Sequence, residues 1–457
     1  MEYHENDPLE TDNSNELSRI ERLFDELFPI CRSITGPGLR KSLRLMQREI
    51  PLDIEGISSG TDVFDWTIPQ EWHVHSGRLV GPDDQVYADF EETNLAVVNY
   101  SEPINQQLLF SELRPHLYSI EELPQATPYI TSYYERNWGF CIPHDTLVEL
   151  PKGKYRAVID SEFVDGELNY GHTVLEGETD QEVLLSSYLC HPSMANNELS
   201  GPLVMALLYN RIQEWDEQHY TYRFVLCPET IGSLTYLSRY GDHLQEQLVG
   251  GLVLTCLGGP DETLKYKRSR RGDARLDRLV DQHEKNRNDI IVRSFSEMFG
   301  SDERQYCSPG FDLPVGQVAR TVYGRYPEYH TSGDDREFMG FNSLLQSVNW
   351  IEELLRKFEY AGVYRNLEPH GEPMLSKRDL FPTVSEFAGD SHRDKTSSET
   401  DAVSRDEFLK RILLVLQYSD GDHDMIEIAE KRDLTVGELL PIVRRLQDTD
   451  LLEQEQI

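Results

Sequence analysis

Apolar residues along this chain follow two rhythms. Short unbroken runs, Val183–Cys190, Tyr222–Cys227 and Leu248–Cys256, have the length and make-up of strands buried on both faces. Elsewhere the apolar positions return every three or four residues: Leu203, Val204, Ala206, Leu207, Leu208 and Ile212, then Ile231–Tyr240, Ala274–Lys285 and Phe341–Tyr360. That spacing is helical, and strands alternating with helices predict a largely parallel sheet covered on both faces. Two more helices, from Leu17 to Phe28 and from Leu39 to Ile50, lead toward a strand near Asp53–Ile57; residues 1–15 read as disordered.

Two stretches break the alternation. From Phe64 to Asp160, aromatics, prolines and short β-like runs dominate, and Tyr155–Asp160 followed by Gly166–Gly171 has hairpin spacing. Near the C-terminus, a Ser/Thr/Asp-rich segment without periodicity reads as a linker. It is followed by three short helices and a strand beginning at Leu451-Leu452, the order of a winged helix. Thr435 and Glu438 fit a capping box, with Pro441 expected to kink or delay that third helix. The predicted organisation is an α/β domain over 16–62 and 161–380, a β-rich insertion over 63–160, a linker over 381–403 and a winged-helix-like domain over 404–457.

Charge changes the choice of partner. The net charge is −37, spread along the whole chain, and a uniformly acidic surface fits a protein kept soluble at high salt, hence a halophilic source. The winged-helix segment carries 7 Lys/Arg against 13 Asp/Glu, which opposes a polyanion and favours a protein-interaction or dimerisation role over DNA read by Arg444 and Arg445. No apolar stretch reaches the length of a membrane span, and the acidic start is unlike a secretory signal. The six cysteines stand singly, with no CxxC pair, so reduced thiols and a cytoplasmic location are expected.

Candidate chemistry lies where strands end. His191-Pro192 closes the Val183–Cys190 run, placing a histidine at the strand's last position ahead of Asn196, Asn197 and Glu198. Cys227-Pro-Glu229-Thr230 closes the next strand, putting a carboxylate where it can act as general base toward a water polarised by a cation. His330 sits in a polar turn, Glu328–Asp335, before the long helix. Taken singly, each histidine is a strand or turn cap and Glu229 a helix-entry acid favoured by the dipole. In an open α/β sheet, however, ligands bind outside the carboxyl ends of the strands.

The order His191…Ala-Asn-Asn-Glu-Leu-Ser-Gly201, strand-Pro-Glu229-Thr-Ile-Gly, His330-Thr-Ser-Gly-Asp resembles the co-catalytic zinc exopeptidases of leucine-aminopeptidase and glutamate-carboxypeptidase type. More closely it resembles the aminopeptidase-like proteins often encoded among polysaccharide-biosynthesis genes, which also carry a C-terminal winged helix. That resemblance takes in Leu27-Phe-Pro-Ile-Cys-Arg-Ser-Ile-Thr-Gly, Val63-Phe-Asp-Trp, Ser132-Tyr-Tyr and Cys307-Ser-Pro-Gly, nearly the whole chain.

The resemblance implies a zinc-exopeptidase-like fold, His191 and His330 as metal ligands and Glu229 as general base. Three departures remove the acids that would neutralise two ions. Asn197 stands for the bridging aspartate, Thr230 for the acid after the base, and Thr255 or Cys256 for the aspartate after the next strand. One Zn²⁺ is then expected, held by His191, His330 and an oxygen from Asn197, Glu198 or Glu229, with Asn197 taken as the ligand. The implied function is hydrolysis of an amide in a small peptide or an N-acyl amino sugar. The alternatives are a degenerate exopeptidase fold that binds without cleaving, and a winged-helix regulator with a sensory domain.

Overall fold

The structure, a computed structural model, describes residues 13–296, 300–380 and 405–455. The predicted linker, and the first twelve of the residues read as disordered, lie outside that range. Asn13, Ser14 and Asn15 instead open the helix Asn13–Leu27.

The main sheet has eight strands: β1 (Asp53–Ser58), β2 (Glu167–Leu175), β3 (Glu182–Tyr188), β4 (Thr221–Cys227), β5 (Leu248–Leu254), β6 (Leu264–Lys267), β7 (Ile290–Arg293) and β8 (Val315–Ala319). Their order is β1-β2-β4-β3-β5-β8-β6-β7. The four central strands, β4, β3, β5 and β8, run parallel, while β1, β2 and β6 pair antiparallel with their inner neighbours. Every residue of β3 and β4 is buried, which is why these strands read as unbroken apolar runs. From β3 the chain crosses to β4 on one side and then to β5 on the other. This reversal opens a crevice over the carboxyl end of β3.

The helix Ser200–Ile212 follows β3, and Gly201 sets how closely it packs. A Cβ there would lie 2.2 Å from Ser187 Oγ and 2.3 Å from the Leu254 carbonyl, so only glycine brings the helix onto β3 and β5.

Strand β3 stops at Tyr188, so His191 is not a strand residue but lies three positions into the loop. The apolar run is longer than the strand because Leu189 and Cys190 stay buried after the chain leaves the ladder. The expected hairpin also fails to pair. Lys154–Val164 joins a separate antiparallel sheet, between Glu71–Val80 and Ile104–Leu109, whereas β2 joins β1 and β4. The two strands of the apparent hairpin therefore serve different sheets.

That second sheet has no core of its own. Trp72 and Ile159 from it, with Tyr100 and Phe140 from the neighbouring segments, form one apolar cluster with Ile34, Ile57, Ile231 and Leu234 of the α/β part. The chain divides instead into two compact units. One takes the chain up to Asp277 and Arg287–Glu352; the other takes Arg278–Asn286 and the chain from Glu353 onward. The second unit starts well before residue 404 because Val363–Asn366 is the middle strand of its sheet, flanked by Asp420–Asp424 and Leu452–Gln454. Its helices are Arg405–Tyr418, Met425–Glu430 and Val436–Gln447, and the last begins with the Thr435–Glu438 capping box and carries Pro441 inside.

Arg444 stacks over the Tyr360 ring at 5.0 Å and donates to its hydroxyl at 2.9 Å. No helix among the described residues is long and apolar enough to cross a membrane. All six cysteines are free thiols.

Candidate active site

Three loops at the carboxyl ends of the central strands meet at one point. The loop after β3 carries His191, the loop after β4 carries Glu229, and the turn beyond β8 carries His330. The rings of His191 and His330 are 5.1 Å apart between centroids, and His191 Nε2 lies 4.0 Å from Glu229 Oε2. Residues separated by up to 139 positions in the chain thus face one another because the sheet order brings their strands together.

His191 is held from behind. Its Nδ1 lies 2.7 Å from Glu198 Oε2, and the other oxygen of Glu198 accepts the Cys190 N–H. Arg32, from the N-terminal motif, is wholly buried and lies 3.7 Å from that oxygen; its Nε donates to the His191 carbonyl at 3.0 Å. With Nδ1 engaged, Nε2 is the nitrogen presented to the site. Burial opposes a charge on His191, but the carboxylates of Glu198 and Glu229 outweigh it and raise its pKa.

Glu198 is placed by the wide π turn Ala195–Leu199, which Asp334 anchors by accepting the N–H groups of Asn196 at 2.6 Å and Asn197 at 2.9 Å. Each oxygen of Glu198 is thus engaged, one by the His191 ring and one by the Cys190 N–H.

Glu229 sits on a strained turn. Ile231 N–H donates to the Glu229 carbonyl at 2.8 Å, closing a three-residue γ-turn around Thr230, whose φ of 65° and ψ of −74° are rare for a β-branched residue. Asp302 holds this turn, accepting the Thr230 N–H at 2.7 Å and the Ser233 hydroxyl at 2.8 Å. Ser301 donates to Glu229 Oε1 at 2.6 Å. Ser301 is fixed in turn by Glu303, whose two oxygens accept its N–H and which forms a buried ion pair with Lys267 at 2.8 Å. Burial raises the pKa of Glu229 against the pull of His191, and burial together with the Glu229 charge pushes Asp302 up to about 8.

His330 has a φ of 55°, and its carbonyl accepts the Tyr129 N–H at 2.7 Å. Its ring stacks on Tyr329 at 3.9 Å, and Tyr129 packs edge-on against both histidines, at 5.2 Å from His191 and 5.3 Å from His330. Burial and the neighbouring His191 lower the His330 pKa to about 3, keeping its imidazole neutral and able to act as a ligand.

Four atoms of these residues are buried without a hydrogen-bond partner: Arg32 Nη2, Asp302 Oδ2, His330 Nε2 and Asn197 Oδ1. The Asn197 amide nitrogen donates to Tyr188 at 2.7 Å, which leaves that oxygen unmatched. An unsatisfied buried polar atom costs about 1–3 kcal/mol, and of these four the His330 imidazole nitrogen and the Asn197 amide oxygen carry lone pairs that fit a cation. Two imidazoles and one neutral oxygen suit Zn²⁺. Cys190, His191 and Glu198 also offer ligand atoms within 4.8 Å of one another, and burial and the Glu198 charge raise the Cys190 thiol pKa far above the usual value. At the position where the resemblance expects an aspartate, Thr255 is bonded to the Tyr188 hydroxyl at 2.6 Å and Cys256 lies 3.8 Å from the Asn197 amide nitrogen.

The sequence alone assigns Arg32, Tyr129, Ser301 and Asp302 no part in the site. Arg32 lay inside a motif without an assigned part, and nothing local marks Asp302.

A family model described as a domain of unknown function (DUF4910) matches residues 21–361, and one described as a winged helix-turn-helix matches 362–454. A Clostridium acetobutylicum protein named for polysaccharide biosynthesis and an aminopeptidase-like domain is 39% identical over 428 residues, 92% of each chain. A solved structure from the same organism, of a protein named as a peptidase, is 36% identical with a TM-score of 0.83 and covers 97% of this chain and 98% of its own. The zinc aminopeptidase BSAP of Bacillus subtilis is similar in fold alone, at 14% identity and a TM-score of 0.51 over 76% of this chain and 94% of its own. The crevice, the loops that fill it and these likenesses agree: the chain belongs to the DUF4910 family of aminopeptidase-like α/β proteins with a C-terminal winged helix-turn-helix.

Proposed function

We propose that this protein is a single-zinc amidohydrolase of aminopeptidase type, acting on a small peptide or an N-acyl amino sugar. One observation carries the reading: His191 and His330 face each other 5.1 Å apart, with Glu229 beside them and unpartnered ligand atoms on His330 and Asn197. His191 and His330 through Nε2, and Asn197 through Oδ1, would hold the ion. Bound zinc supplies Lewis acidity toward an amide carbonyl and favours ionisation of water.

The chain's own residues do the rest. Glu198 keeps His191 turned with Nε2 forward. Ser301 pins one oxygen of Glu229 and leaves the other facing the site. Glu229, its basicity raised by burial, takes a proton from the attacking water and returns it to the nitrogen as the C–N bond breaks, giving a carboxylate and an amine. Tyr129 and Tyr329 wall the histidines from bulk water.

The missing acids at Asn197, Thr230 and Cys256 favour a second reading, a non-cleaving ligand-binding protein on the same fold. Zinc-loaded protein incubated with short peptides and N-acetylated amino sugars separates the two. Amine release that falls by about 10²–10⁴ in Glu229→Gln while zinc is retained supports the hydrolase. No release from any amide, or equal release by the variant, overturns it.

A further inference from the structure

A ten-residue strap, Thr127 to Arg136, ties the histidine turn to a separate concavity. At its start Thr127 N–H donates to Ser332 Oγ at 3.0 Å, Ser332 N–H returns to the Thr127 carbonyl at 2.8 Å, and Tyr129 N–H reaches the His330 carbonyl. In its middle Ser132 donates to the Asn99 carbonyl through its N–H at 2.9 Å and to the Tyr100 carbonyl through its hydroxyl at 3.0 Å. At its end Tyr133, Tyr134 and Arg136 wall a cavity of about 310 Å³ completed by Gln70, Tyr100 and Phe163. Tyr133 is the link between the two places: its hydroxyl is bonded to that of Tyr129, the residue lying against both histidines.

The walls have a definite chemistry. Tyr100 and Tyr133 meet edge to face at 5.2 Å, and Tyr134, 55% exposed at the rim, rests edge-on against Trp66. The Arg136 guanidinium lies 3.8 Å over the Phe163 ring and donates to Gln70 Oε1 at 3.1 Å. Stacking and that bond fix the plane of a fork with five N–H donors, most of which stay available. The cavity thus presents aromatic faces together with oriented in-plane polar groups, in the size range of a small-molecule site.

An alkyl side chain would strip water from Gln70 and Arg136 and return no hydrogen bond. An anion would meet Arg136, but Glu135 on the same lip and the net charge of −37 oppose its approach. A neutral saturated ring with an apolar C–H face and hydroxyl or acylamino groups at its edge satisfies both kinds of wall. We propose that this cavity binds the ring of a neutral N-acyl amino sugar, at a place apart from the histidines.

Calorimetric titration of the full-length, metal-stripped protein in chelator tests the site apart from catalysis. N-acetylglucosamine is expected to bind with a Kd on the order of 1 mM, the scale for a ligand of its size. Tyr134→Ala and Arg136→Ala should each weaken it at least tenfold. Both side chains are exposed, so thermal melts should not move and a loss of binding cannot be laid to misfolding. A dipeptide binding there in its place, no saturable heat with the sugar, or unchanged binding in both variants overturns the proposal. Binding retained by a zinc-loaded protein that cleaves nothing would leave the site standing and sink only the hydrolase reading.

Discussion

Glu198 and His191 form a carboxylate–imidazole pair, Oε2 to Nδ1 at 2.7 Å, in which the acid is completely buried. Arg32 stands behind the same carboxylate and contributes the balancing charge. Such a pair fixes which ring nitrogen faces outward and raises its basicity, and loss of a partner of this kind typically costs 10–100-fold in metal affinity. Glu198→Gln keeps the shape and removes the charge. Zinc affinity measured by chelator competition should fall about 10–100-fold. Equal affinity in variant and parent would show that the carboxylate plays no such part.

Thr230 occupies a backbone conformation that glycine adopts freely. Strain of this kind costs about 1–3 kcal/mol. Thr230→Gly should therefore leave the melting temperature unchanged or raise it, since relief of strain offsets the roughly 0.5–1 kcal/mol that glycine's backbone freedom costs. The same change should lower kcat, because Glu229 is then carried on a looser turn. A lower melting temperature with kcat intact would mean that the turn stores no strain for the base.

Much of this arrangement was open to reading from residues alone, and the failures have physical causes. His191 and Glu229 stood out because each closes an apolar strand run, and strand-end loops of an open sheet share one crevice. His330, in a polar turn, stood out only through the motif order it completes. The end of β3 was misplaced because burial, not ladder pairing, makes a run apolar, and Leu189 and Cys190 are buried beyond the last paired residue. The false hairpin arose because spacing records the length of a turn and not the partner of each strand. Tyr129, Arg32 and Asp302 escaped because their roles rest on contacts across 62, 159 and 72 positions, which leave no periodic trace.

Glu71 couples stability to pH. It is buried at the start of the second sheet, where it accepts from Arg40 Nη2 at 2.9 Å, from the Glu167 N–H at 2.9 Å and lies 2.9 Å from His73 Nε2. Burial works to raise its pKa, yet the hydrogen bonds of Arg40, His73 and Glu167 prevail and bring it down to about 2 from 4.5. A lowered carboxylate pKa stabilises the fold fully above the unfolded value and ceases to do so as pH falls through the folded one. The contribution, on the order of 3 kcal/mol, is present near pH 6 and fades between about pH 4.5 and 2. In urea unfolding at pH 6, Glu71→Gln should be less stable by about that amount, and the gap should narrow as pH approaches 3. A gap that stays constant across the range would contradict this linkage.

The direct test of the central claim is the metal content of the purified full-length chain. The account predicts about one zinc per chain, lost in His330→Ala and retained in Glu229→Gln. A parent protein that takes up no zinc, or a His330→Ala variant that keeps it, would contradict a metal site built on the two facing histidines.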